Sequence, residues 1–490
     1  MDALPKIRAA KTAAEYQDAV RGLTSALPPI PATSGPQRTW VHFKIDRSGF
    51  MTVPNATPLL TLELGPGAHA EVPLSEPVRA QLPVVPDPQP DATYANLPYP
   101  PTELRILSAY KLWGAVHYFF AYRDLMDDDW DDDVADFLTK FIAAKDAREY
   151  HLAVADAVTK LCDSNAQASS SILDNYFGTA AVPLQLMLID KKPLVTAIFS
   201  DEARQKGIQI GDIVTRVDGE EIVARINREA VYLDASTHQS LSDLVMHRIL
   251  NGAPDSDAQL TVRHGDGATQ DVKLQRQSVQ REPAAVTKKL GKGIAYVNLQ
   301  AVIDSNVDSV LETSSDATGI IFDARGPLRA DARRIASHFS QEPDTAGAIL
   351  TGPVVMSPDP PARSFLTGTN SFFSVEAVPK SAGPIFKGKT VMLIDERTIG
   401  EAELLGLLLE ATNKTAFIGS NSAGAYGEIS SLVLPGGITV TFSSTDVRHA
   451  NTGKLQRVGL EPTIAVHPEL ADIRADRDVV LEKAVEYLSR

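Results

Sequence analysis

From about residue 290 the chain alternates apolar, strand-like segments with helical ones: GIAYVNL, a helical stretch, TGIIFDARG, RADARRIASHF, KTVMLID, GEAELLGLLLEAT and TAFIGS. An order of strand, helix, strand, helix implies a layered α/β domain, because each element must bury its apolar side against another layer. Further on, SSLVLP and ITVTFS, joined through Gly436 and Gly437, read as a hairpin, and DRDVVLEKAVEYLSR as a closing helix.

That domain is only part of the molecule, since 490 residues exceed what one hydrophobic core usually supports. The stretch PVVPDPQPDATYANLPYPP is too dense in proline for a sheet or helix interior and reads as a connector, with a boundary near residue 100. Residues 1–100, with PPIPATSGP and the alternating WVHFKI and LLTLEL, read as a small β-rich module ending in that linker. Residues 101–179 read as a helical segment. Its first helix takes Thr102 as N-cap, carries Glu103 in the first turn, and groups Leu104, Leu107, Trp113, Val116 and Phe120 on one face. Between 180 and 282 short strands (LQLMLI, LVTAIF, DIVTRVDG, AQLTVRH, DVKLQR) surround one amphipathic helix, SLSDLVMHRIL, and 283–490 is the α/β domain. The run DDDWDDD reads either as a cation site or, more plainly, as carboxylates favoured by the dipole of a first helical turn.

With 62 acidic against 47 basic residues the net charge is -15, which repels phosphate backbones and excludes nucleic acid as the main partner. A single cysteine, Cys162, permits no internal disulfide, no Cys/His cluster has zinc-ligand spacing, and no cofactor is expected. There is no 18-residue apolar run to span a membrane. The opening MDALPKIRAAKTAAEYQDAV has no signal-peptide core, so the compartment is left open: periplasmic or secreted if a signal peptide has been removed, cytoplasmic otherwise.

The segment ARQKGIQIGDIVTRVDGEEI resembles the PDZ signature, with its Gly-Asp turn from Gly207 to Asp212 before a strand and a Val-Asp-Gly hairpin. Eight stretches then match, in one order, the tricorn and C-terminal-processing (tail-specific) serine peptidase family: LWGAVHYFF with DWDD, LCDSNA, the PDZ-like module, IIFDARG, LIDERTIGEAE, IGSNSAGAYG, LPGG and LQRVGLEPTIAV. The resemblance covers residues 100–490 and implies a crotonase/ClpP-like α/β peptidase core with an inserted PDZ-like domain. It also implies where catalysis would sit. The family's Ser-His pair falls on Ser164 and Asn165, after Asp163, so the base has become an amide. The nucleophilic serine falls on Gly400, in Thr398-Ile399-Gly400-Glu401. The Lys base of the C-terminal-processing branch falls on Ala425, after Gly424, and a Glu of tricorn on Gln456. Acyl transfer of this kind needs an oxygen or sulfur nucleophile and a group that removes its proton, and Gly400, Asn165 and Ala425 supply neither.

Backbone N–H groups at Gly326 and after Gly400 are the expected oxyanion donors, since they need no side chain. Thr398, Ser420, Ser422 and Cys162 lie close enough in sequence to be weighed as replacement nucleophiles, although turn hydroxyls usually serve the backbone. His449 is expected to be structural or to line the cleft. Glu401 and Glu403 suit a helix start. Glu401 is also expected to face Asp163 across the cleft, a pairing capable of acid/base work if one carboxyl keeps its proton. The leading expectation is a peptide-binding pseudo-peptidase whose partner is a peptide or protein C-terminus. Altered acid/base chemistry on a small molecule or ester through Glu401 and Asp163 is the first alternative, and residual serine-type hydrolysis the second.

Overall fold

The structure, a computed structural model, describes residues 96–277, 285–353 and 371–490 apart from residue 382, with short pieces before residue 95. Of the expected N-terminal β-rich module, LLTLEL lies in the strand Leu59–Gly65, antiparallel to Ala68–Pro73. WVHFKI, PPIPATSGP and most of the proline-rich connector lie outside the described residues.

The central sheet runs Thr287–Lys289, Ile294–Asn298, Gly319–Asp323, Lys389–Ile394, Ala416–Gly419, Ile464–Ala465, parallel throughout except for its first strand. Its apolar residues alternate between two layers. Ile320, Phe322, Met392 and Ile394 pack under the helices Val307–Thr313, Ala332–Ser337 and Glu401–Asn413. Ile321, Val391 and Leu393 meet the closing helix Val479–Leu488. The Glu401–Asn413 helix is buried from Ala402 through Leu409, as a helix apolar on all sides must be. With five leucines in that stretch, each worth about 1.5–3 kcal/mol of burial, it is a rigid mount for the residue before it.

The helical segment comprises Thr102–Phe119, Trp130–Ala143 and Ala147–Val158. Thr102 is not the N-cap; Pro101 is, and the Thr102 hydroxyl instead accepts a 3.1 Å bond from Arg105. The buried face is Arg105, Ser108, Ala109, Leu112 and Val116, while Leu104, Leu107 and Trp113 are half-buried. Two polar residues disguise that face because each finds hydrogen-bond partners inside. Arg105 donates to the carbonyls of Phe141 and Ala144 at 2.7 and 2.8 Å, capping the next helix, and Ser108 accepts from the Tyr150 hydroxyl at 2.6 Å. The acidic run is spent on capping and pairing: Asp129 accepts from the Asp131 N–H, Asp131 holds Trp113 and His117, and Asp133 pairs with Lys160.

Strands Ile429–Leu434 and Ile438–Ser443 form the expected hairpin, turning at Gly436 and Gly437 (φ 109° and 72°). With Gln167–Ser169 as a third strand, the hairpin shares one core with the helical segment, through Leu434, Val440 and Phe442 against Phe120 and Tyr150. The intervening residues build an antiparallel sheet in the order Thr269–Gln275, Asp257–Arg263, Ile213–Val217, Lys192–Ile198, Leu184–Ile189. Three helices accompany this sheet, not one. His238–Arg248 starts two residues earlier than SLSDLVMHRIL suggests, with Thr237 as its cap, and Asp201–Gln205 and Ile222–Ala230 are additional. Ile222–Ala230 buries Arg225 and Glu229, and Arg225 donates to the Ile249 carbonyl at 2.7 Å, so charge on its inner face masks its period. No helix among the described residues is long and apolar enough to cross a membrane.

Candidate active site

The turn after Lys389–Ile394 is held by Thr398, fully buried, whose hydroxyl accepts from the Asp395 N–H at 3.1 Å and donates to the Ala324 carbonyl at 2.8 Å. Gly400 follows as the N-cap of Glu401–Asn413, with φ 65° and ψ -127°, a conformation that side-chain-bearing residues adopt only under strain. A Cβ placed there would meet nothing within 4 Å. The position therefore stands at a sharp strand-to-helix turn with open space in front of it, at the positive end of a helix dipole.

Beneath it lies Ala425, fully buried, whose carbonyl accepts the Gly400 N–H at 3.3 Å. The loop carrying Ala425 is gripped by Glu403, also fully buried. One carboxylate oxygen of Glu403 accepts from the Ser422 hydroxyl and, at 2.7 Å, from the Gly424 N–H; the other accepts from the Ala425 N–H at 2.9 Å. Burial pushes the Glu403 carboxyl up to about 7 against the pull of those donors. Ser422 in turn accepts the Leu460 N–H at 2.7 Å. Ser422 and Thr398 are thus committed to structure. Cys162 is no better placed as a nucleophile, since burial and then the charges of Asp234 and Asp127 push its thiol up to about 11.

Asp163, Ser164, Asn165 and Gln456 are brought together. Asp163 is fully buried and accepts from the Ser443 N–H (2.8 Å) and hydroxyl (3.1 Å), the Asn165 N–H (3.2 Å) and the Gln456 amide (3.4 Å). Its carboxyl is raised by desolvation despite them. The Asn165 amide donates to Ser443 at 3.0 Å. The Gln456 amide also donates to the Ser236 hydroxyl at 3.0 Å, and Ser164 exchanges bonds with Ser236 (2.9 Å) and Ser240 (2.9 Å). This cluster reaches the Gly400 turn through a chain of contacts, because Arg457 donates its N–H to the carbonyl of Gly424 at 3.1 Å. Nothing in the sequence singled out Ser236 or Ser240, which lie about seventy residues from Ser164 and carry no motif.

Glu401 accepts from the Ala332 N–H at 3.2 Å and the Tyr426 hydroxyl at 3.4 Å, partners other than those of Asp163, and has its carboxyl raised mainly by burial. Two expected roles are corrected. Gly326 does not present a free oxyanion donor, because its N–H is turned to the Ala324 carbonyl at 2.7 Å and the Gln300 side chain lies against its Cα. His449 pairs with Glu410 at 2.7 Å, roughly 15 Å along the helix from Gly400, and lines no part of this site. The N–H of Glu401 remains as a donor at the helix start.

No family profile and no curated protein matches the sequence. Among solved structures, mature CPAF is similar over 79% of this chain and 96% of that chain, with a TM-score of 0.59 at 13% identity. Mature CPAF complexed with lactacystin is similar over 79% and 97%, with a TM-score of 0.58 at 12% identity. The photosystem II D1 C-terminal processing protease gives 80% and 98%, with a TM-score of 0.46 at 15% identity. The chain therefore has the multidomain α/β fold seen in mature CPAF.

Proposed function

We propose that this chain is a peptide-binding member of the tail-specific and tricorn-like peptidase family that has lost hydrolysis. The observation that carries the reading is Gly400: the turn, the helix and the open space that a nucleophile needs are all there, with no side chain to use them. The surroundings agree. Ala425 sits beneath Gly400 where a lysine base would have to reach, and Asn165, an amide, cannot take a proton from a hydroxyl. The antiparallel sheet ending in Leu184–Ile189, with His238–Arg248 beside it, is read as a PDZ-like module, which receives a chain end by adding it as a strand.

The test has two arms. The purified chain is exposed to a serine-directed fluorophosphonate and to an unfolded protein substrate, and a library of free-acid peptides is titrated onto it. No labelling, no cleavage and saturable peptide binding are expected. Stoichiometric labelling at any Ser or Thr would refute the loss of hydrolysis, and absence of binding across the library would refute the peptide-binding role.

A further inference from the structure

The strand Leu184–Ile189 ends its sheet, pairing with Lys192–Ile198 on one side and with no strand of the described residues on the other. An open edge offers unpaired backbone N–H and C=O groups to an incoming strand. Between this edge and the His238–Arg248 helix lies a groove of about 380 Å³. Met187, Leu188 and Met246 give it an apolar floor, while Glu396, Ser420 and His467 of the α/β domain close its far wall. A hollow of about 420 Å³ continues it past the same Met187 and Glu396 toward Asp190 and Arg397. Any chain lying along the edge strand therefore touches the turn that leads, four residues on, to Gly400.

The charges along this path do not balance. Its three arginines are already engaged: Arg397 with Asp395, Arg325 with Asp323 and Asp478, and Arg477 with Asp472 and Glu482. Glu396 has no ion pair among the described residues. Asp243, on the helix side of the groove, meets only the neighbouring His247, at 3.3 Å. Burial, then the charges of Asp395 and Asp243, push the Glu396 carboxyl up to about 7, with Arg397 pulling the other way. Two carboxyl groups thus face one groove without a cation between them, beside a free sheet edge.

We infer that the groove binds an extended peptide segment that adds to the Leu184–Ile189 edge and sets a lysine or arginine side chain against Glu396, with Asp243 opposite. The inference rests on the peptide-binding reading above and specifies its ligand. The apolar floor takes the stem of the basic side chain and the carboxylates take its head, the division such side chains favour. A bound peptide then spans the PDZ-like sheet and the α/β domain together.

The test uses the full chain and fluorescent free-acid peptides that place Lys, norleucine or Glu at each position in turn. They are titrated at low salt onto the parent protein, Glu396→Gln and Asp243→Asn. At one position the Lys peptide should bind roughly tenfold more tightly than its norleucine twin at pH 8, and the advantage should shrink below pH 7 as Glu396 takes up its proton. In Glu396→Gln the advantage should vanish while the norleucine peptide keeps its affinity, which shows the groove intact; in Asp243→Asn it should fall severalfold. If peptides bind but Lys and norleucine are equal everywhere, or the preference survives in Glu396→Gln, the inference is overturned and the peptide-binding reading stands. If no peptide binds, both fall.

Discussion

Replacing Glu403 by glutamine should change the sign of its effect on stability between pH 5 and pH 8. Burial holds this carboxyl at about 7 in the folded chain, against an ordinary 4.5. The folded protein thus keeps a proton that the unfolded chain releases. The stability this contributes is fully present below about pH 4.5, is lost as pH rises, and is gone above about pH 7. A tenfold change in proton affinity is about 1.4 kcal/mol, so the loss across the window is about 3 kcal/mol. Glutamine does not titrate and escapes that loss. It brings a fixed cost instead, because one oxygen can still serve Ser422 and Gly424 but the NH2 group then faces the Ala425 N–H, donor against donor, at about 1–2 kcal/mol. Glu403→Gln should therefore be less stable than the parent at pH 5 and as stable or more so at pH 8. Thermal and urea unfolding of both proteins at pH 5, 6, 7 and 8 measures the difference, whose swing should be roughly 3 °C in Tm for a chain of 490 residues unfolding as one unit. A difference that stays constant, or a variant that loses more at pH 8 than at pH 5, would mean that the three donors and not burial set the proton on Glu403.

Gly400→Ser should fold, at a cost of about 1–3 kcal/mol from its positive φ and none from collision, and should still resist fluorophosphonate because no base is at hand; labelling of this single variant would reveal one. Arg105→Ala should cost about 2–4 kcal/mol in urea unfolding, since it strips the Phe141 and Ala144 carbonyls of their buried donor, and a loss below 1 kcal/mol would show that water replaces it. Ser164→Ala and Ser240→Ala, combined in a double-mutant cycle, should couple by about 1 kcal/mol, because their hydroxyls bond each other at 2.9 Å; strict additivity would mean that this bond does not fasten the His238–Arg248 helix to the Asp163 cluster. For a peptide bound by its chain end, amidation of the C-terminus should weaken binding by about 1–3 kcal/mol, and equal affinities would make the groove a side-chain receptor only.

The strands and helices of the central sheet were legible from sequence, because short apolar runs and their intervening helices leave few layered solutions, whereas Thr345–Pro353, Ser371–Val378 and Asp446–His449, which form a separate antiparallel sheet, were not read. The residue identities on which the proposed loss of hydrolysis rests were equally legible, since Gly400 has no side chain and Asn165 no basic nitrogen in any fold. Polar groups inside the protein were not legible. Arg105 and Ser108 on the inner face of one helix, and Arg225 on another, broke the apolar period because each bonds a carbonyl or hydroxyl remote in sequence. The same reason hid the roles of the acids. Glu401 and Glu403 stand two residues apart, about 200° around the helix, so one reaches the half-buried Tyr426 and the other is sealed beneath Gly424 and Ala425. Their neighbours in sequence are nearly the same; their hydrogen-bond partners lie some twenty to seventy residues away. Asp163 meets Gln456 across 293 residues. Which carboxyl faces a cleft and which holds a loop depends on partners that only chain packing brings within 3 Å or so, and burial then decides which of them keeps its proton.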